Sequence, residues 1–128
     1  MKMNLDCIRS VLLELEDLPL DIYAPDDLEK TLKKYDFEDV NYSLIKLEEA
    51  GYVRAQISRT LGGDVEVFSV SDITFSGHQF LEKIRDDQVW GKTKSVAASI
   101  GSWALDVVTQ IATAVISDLI NRRLSGQS

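Results

Sequence analysis

His78 is the only histidine and Cys7 the only cysteine in this 128-residue chain. A metal site draws on several His, Cys or carboxylate ligands at workable spacing, and one histidine with one remote cysteine does not supply them. Neither Ser76 nor Cys7 has a base and an orienting group near it in sequence, so no activated nucleophile is expected. Asp86-Asp87 has the charge to hold a cation, but beside Arg85 at a helix end the pair reads as solvated or ion-paired. Gly62-Gly63 lacks the lysine and following helix of a phosphate loop. His78, beginning a helix, reads as structural. The expectation is a protein without catalytic residues, metal or cofactor, and therefore not an enzyme.

What remains is recognition by a surface. Tyr42, Ser43 and Lys46 fall on the outer face of an expected helix, with Arg54 along an expected strand and Arg59 near its tip. These five are the candidate DNA contacts, the first three reaching a major groove. The helix that positions them is capped by Asp36 and presents Phe37, Val40, Leu44 and Leu47 as its buried stripe. Gly51 can take the left-handed conformation that ends it. Alternation at Val53, Ala55 and Ile57, the turn Leu61-Gly62-Gly63-Asp64 and resumed alternation at Val65 and Val67 predict a hairpin. The phase changes at Phe68 and Val70, as at a bulge. Thr74 or Ser76 then caps a fourth helix with Phe80, Leu81 and Ile84 inward. Helix, glycine stop, hairpin and helix form the layout of a winged helix-turn-helix.

The flanks complete that layout. Leu5, Ile8, Leu12 and Leu15 share one face of a first helix, with Asn4 as cap and an end before Pro19. Leu20 to Tyr23 suits a short edge strand, and residues 26–35 a short second helix with lysines last. The fold class expected is α+β, a winged helix-turn-helix domain over 1–87 with a C-terminal amphipathic helical extension over 88–128. In the extension a long helix runs from Ser102 to Leu124 and is apolar around most of its circumference. Trp103, Val107, Val108, Ile111, Val115 and Leu119 are its candidate residues for a homodimer or partner interface.

Charge bears on the partner. Residues 1–51 hold six Lys/Arg against 13 Asp/Glu, the whole of the −7 net charge, although duplex binding normally uses several Lys/Arg–phosphate contacts. Residues 96–116 carry one charge, Asp106, over a length that could span a bilayer, but a regular polar stripe argues for a helix packed on protein instead. A single cysteine and a start without a long apolar core fit a cytoplasmic protein.

Three stretches resemble the domain of unknown function 2513 family of phage and prophage proteins. They are Met3-Asn4-Leu5-Asp6-Cys7-Ile8-Arg9, the run from Asp39 to Val53, and above all Ile73-Thr74-Phe75-Ser76-Gly77-His78-Gln79 continuing through Arg85-Asp86-Asp87 to Trp90. The tail around Ser102 to Ala112 is similar too. The sequence departs from the family at Tyr42-Ser43, where a histidine often follows the tyrosine. The resemblance implies a winged helix and a mobile-element context, and no activity. Two functions are expected: regulatory DNA binding, or an acidic protein-interaction module that engages a host factor, even by imitating DNA charge.

Overall fold

In the computed structural model, which describes residues 1–126, the chain divides into two compact units, Met1–Leu81 and Glu82–Ser128. The boundary precedes the expected 87/88 division, and Gln127 and Ser128 of the expected extension lie outside the described residues. The units differ in charge: the first holds eight Lys/Arg against 16 Asp/Glu, the second six against five.

The first unit begins with α1 (Leu5–Asp17), whose first free N–H groups are met by Asn4 through a 3.1 Å bond from Cys7 N. Its buried face is Leu5, Cys7, Ile8, Val11 and Leu12. The expected edge strand shrinks to one bridge, in which Tyr23 and Val70 exchange bonds of 2.9 and 2.8 Å. The expected second helix is divided: a 3-10 turn occupies Pro25–Asp27, and α2 is only Glu29–Leu32. So short a helix is stabilised from outside. The Glu14 carboxylate, 7 % exposed on α1, accepts bonds from Lys30 N (3.0 Å), Thr31 N (2.8 Å) and Thr31 Oγ1 (2.7 Å). A negative group on the free N–H groups of a helix start is favourable by charge as well as by hydrogen bonding.

Helix α3 (Phe37–Glu49) is capped by Asp36 through a 2.8 Å bond from Asp39 N. Gly51, with φ of 76°, ends it: Tyr52 N donates to Leu47 O at 2.8 Å and Gly51 N to Glu48 O at 2.9 Å. Its buried residues are Val40, Ser43, Leu44 and Leu47, while Phe37, expected inside, is 44 % exposed in the first turn.

Strands β1 (Val53–Arg59) and β2 (Val65–Ile73) form an antiparallel hairpin. Pairing runs from Val53↔Ile73 to Arg59↔Val65 and skips Ser71 and Phe68 on β2. Two bulges thus account for the change of phase at Phe68 and Val70. Thr60 closes the tip: its N donates to Asp64 O at 2.9 Å and its Oγ1 accepts from Asp64 N at 3.1 Å.

Thr74, not Ser76, caps α4 (Phe75–Ile84), since its Oγ1 accepts from Gly77 N at 3.1 Å and donates to Gly51 O at 2.5 Å. Gly77 is obligatory there, because a Cβ would lie 2.0 Å from Tyr52 O. Phe80 stacks on Tyr52 with ring centroids 4.8 Å apart. Three helices followed by a two-stranded wing and a further helix make the first unit a winged helix-turn-helix of the α+β class.

The second unit is a helical hairpin. Asp86 caps α5 (Asp87–Ile100) with a 3.0 Å bond from Val89 N, and Gly101, φ 81°, ends it. The second helix, α6, begins at Leu105 and not at Ser102, and runs to Leu124. Val89, Trp90, Thr93 and Ala97 of α5 are buried, as are Val108, Ile111, Ala112 and Val115 of α6. The apolar run over 96–116 is therefore broken at Gly101, and no helix among the described residues is long and apolar enough to cross a membrane.

Candidate nucleic-acid interface

The outward side of α3 and the inner side of the wing bound one open groove of about 490 Å³. Tyr42, Ile45 and Lys46 line it from the helix, Arg59 and Val65 from the hairpin. The gap is bridged at its base by one side chain. Asn41 donates from Nδ2 to Val65 O at 3.2 Å, and its Oδ1 accepts from Val67 N at 2.9 Å. An amide can donate and accept at once, so it substitutes for a neighbouring strand along that part of β2. Sequence periodicity marks Asn41 only as a non-core position; its partners lie 24 and 26 residues away.

Three of the five expected contacts meet in this groove. Tyr42 is half-buried, with Lys46 Nζ 5.1 Å from its ring centroid, a cation–π distance. Lys46 also donates to Glu49 Oε2 at 2.9 Å, and that carboxylate raises the ammonium above its usual pKa. The charge of Lys46 is thus held, and balanced, on the helix. Arg59 is exposed at the end of β1.

The other two stand elsewhere. Arg54 lies five residues back along β1, about 16 Å at the strand rise, and faces Asp72 at 3.8 Å. Ser43 corrects the sequence reading outright: it is 1 % exposed and cannot reach a ligand. Its Oγ makes no hydrogen bond of ordinary geometry, and the neighbour that responds to it is the buried Cys7 thiol of α1. Burial pushes that thiol above its usual pKa, and the Ser43 hydroxyl partly opposes the shift. Two small side chains face each other here, where α1 packs on α3.

Three carboxylates border the same groove, Glu38 and Glu49 from α3 and Asp64 from the wing. Lys46, Arg59 and the α-amino group of Met1 oppose them in the lining.

The expected interface residues of the tail divide in a similar way. Val108, Ile111 and Val115 are inside the hairpin, so they are core and not a docking face. Trp103 sits in the connection before α6 and is 43 % exposed; Val107 is half-buried and Leu119 is 38 % exposed. Among the described residues no His, Cys, Asp and Glu group could hold a metal ion. Asp86, the candidate cation ligand, is the cap of α5.

The family model described as "Hypothetical protein (DUF2513)" matches residues 2–103. An uncharacterized protein of Haemophilus influenzae is 33% identical over 124 residues, which cover 94% of this chain and 99% of that one. Two solved structures are similar in fold. A PadR family transcription regulator from Clostridium difficile has 17% identity and a TM-score of 0.47, covering 75% of this chain and 98% of its own. A proposed transcriptional regulator from Thermoplasma acidophilum has 18% identity and a TM-score of 0.46, covering 73% and 88%.

Proposed function

The chain belongs to the DUF2513 family, and from its own geometry we propose that it is a non-enzymatic regulatory protein that binds duplex DNA through α3 and the wing. One observation carries this reading. Tyr42, Lys46 and Arg59, which lie on two different elements, converge on a single groove whose walls are fixed by Asn41. A helix presented beside a hairpin suits a major groove with its flanking backbone. Tyr42 and Lys46 would address base edges and phosphate, and Arg59 a phosphate. A homodimer through the C-terminal helix, host cytoplasm as its place of action and a phage or prophage origin belong to the same reading.

A second reading is favoured by the groove's own carboxylates. Glu38, Glu49 and Asp64 would repel phosphate and attract a basic protein surface. In that case the first unit, with eight Lys/Arg against 16 Asp/Glu, acts as an acidic interaction module.

Fluorescence anisotropy against pooled genomic fragments at several salt concentrations separates the two. DNA binding predicts a specific fragment whose affinity falls with salt, and a log–log slope about one unit shallower for Arg59→Ala. Absence of binding at low salt would retire the DNA reading.

A further inference from the structure

The two helices of the second unit are unequal. Helix α5 has 14 residues and α6 has 20, and Asp86, Gln88 and Val89 line a groove together with Ile116, Leu119, Ile120, Arg123 and Leu124. The start of α5 therefore lies against the end of α6, as in an antiparallel pair. Six extra residues amount to about 9 Å of helix. The last turns of α6 extend beyond the start of α5, and only Asp86, Gln88 and Val89 of the α5 side border the groove they share. Exposure follows: Val108 is 1 % exposed and Val115 9 %, but Leu119 reaches 38 %, Ile120 51 % and Leu124 81 %.

The groove so formed, about 420 Å³, carries one charge on each wall. Asp86 stands on the α5 side and Arg123 on the α6 side, and neither is in an ion pair among the described residues. Arg122 beside it is bound to Asp118 at 3.1 Å. An anionic lipid surface needs a net positive face, which this rim lacks. A patch with opposite charges on its two sides and apolar residues between them is complementary to itself under a twofold rotation.

We propose that this open end of the hairpin is a self-association surface. A second copy of the chain packs its Ile116, Leu119, Ile120 and Leu124 against the same residues, and Arg123 of each copy faces Asp86 of the other. This deepens the homodimer part of the reading above, and it moves the interface from the middle of α6 to its end. It does not depend on DNA.

Sedimentation equilibrium of the full chain at micromolar concentration tests it. The expected mass is twice the 14.3 kDa of one chain. Leu119→Asp with Ile120→Asp should return the single-chain mass without loss of helical circular dichroism, because both side chains are exposed. Arg123→Asp should raise the dissociation constant about a hundredfold or more, because the twofold repeats the change and both interfacial charge pairs become Asp–Asp oppositions. A wild-type chain that is monomeric would overturn the proposal. So would a dimer indifferent to all three changes, or a monomer that sediments with phosphatidylglycerol vesicles. Anisotropy on the same samples keeps the two readings apart. A dimer that ignores DNA sinks only the DNA reading, and a monomer that binds DNA sinks only this one.

Discussion

The two units solve the problem of placing helices by different means. In Met1–Leu81, side chains bond to distant backbone: Glu14 to the start of α2, Asn41 to β2, Thr74 to Gly51. In Glu82–Ser128 buried apolar residues of α5 and α6 pack together, and Asp86 and Gly101 act at the ends of α5. Charge follows the same division. The first unit carries twice as many acids as bases and the second is nearly balanced. Polar bonds have fixed directions, so they set the separation of α3 and the wing. Apolar packing has no such direction, and it tolerates a helix that extends beyond its neighbour.

If that contrast holds, perturbations should separate by unit. The largest effect is expected from Gly77→Ala. Its Cβ would meet a backbone oxygen at 2.0 Å, and the first unit should lose more than about 4 kcal/mol. Thermal unfolding would register this, and hydrogen exchange should quicken across residues 1–81 while α5 and α6 stay protected. Next is Val108→Asp, which buries an unpaired charge in the hairpin and should cost about 4 kcal/mol. Ile120→Asp on the same helix should change monomer stability by no more than about 0.5 kcal/mol, since that side chain is exposed. Equal losses at the two positions in urea melts would contradict the packing described here.

Glu14→Ala follows, at about 2–3 kcal/mol, because it strands two backbone donors and the Thr31 hydroxyl. Amide exchange at Lys30 and Thr31 is its specific readout. The smallest effect concerns pH. Burial holds the Cys7 thiol above its ordinary pKa, so in alkali the unfolded chain ionises first and binds fewer protons than the folded one. Stability should be fully present below the unfolded thiol value of about 8.5 and should fall as pH rises towards the folded one, by less than about 1 kcal/mol at pH 9. Cys7→Ala should flatten that slope in denaturant melts across the range.

Features set by near neighbours in sequence were legible before the structure. The caps Asn4 and Asp36, the Gly51 stop and the Gly62-Gly63 turn all depend on residues a few positions apart, and the change of phase at Phe68 and Val70 marked a bulge where the strand has two. Glu14 was not legible, because its partners lie 16 and 17 residues on and nothing local distinguishes it from any other helix carboxylate. Ser43 carried a usable signal. Val40, Ser43, Leu44 and Leu47 have the three-and-four spacing of one face, and only the polarity of serine argued for placing it outside. A small side chain at a close helix contact belongs to the core whatever its polarity. For α6 the spacing could not choose, since apolar residues surround most of it. The stripe Val89, Thr93, Ala97 on α5 decides which side is inside. Among the candidate contacts, Tyr42, Lys46 and Arg59 line one groove and Arg54 lies along the wing as expected, while Ser43 was misplaced because the packing of α1 on α3 is a long-range fact.

The Asn41 bridge also bears on how the hairpin finds its register. One amide offers a donor at one end and an acceptor at the other, and both are satisfied only when Val65 O and Val67 N stand opposite them. A slip of β2 by one residue would bring the wrong backbone group to each end and leave a polar pair unmet. With glycines at its tip and two bulges on one strand, the hairpin has weak internal means of refusing such a slip. Contact with α3 therefore favours the native register of the wing, since only there are both ends of the Asn41 amide satisfied.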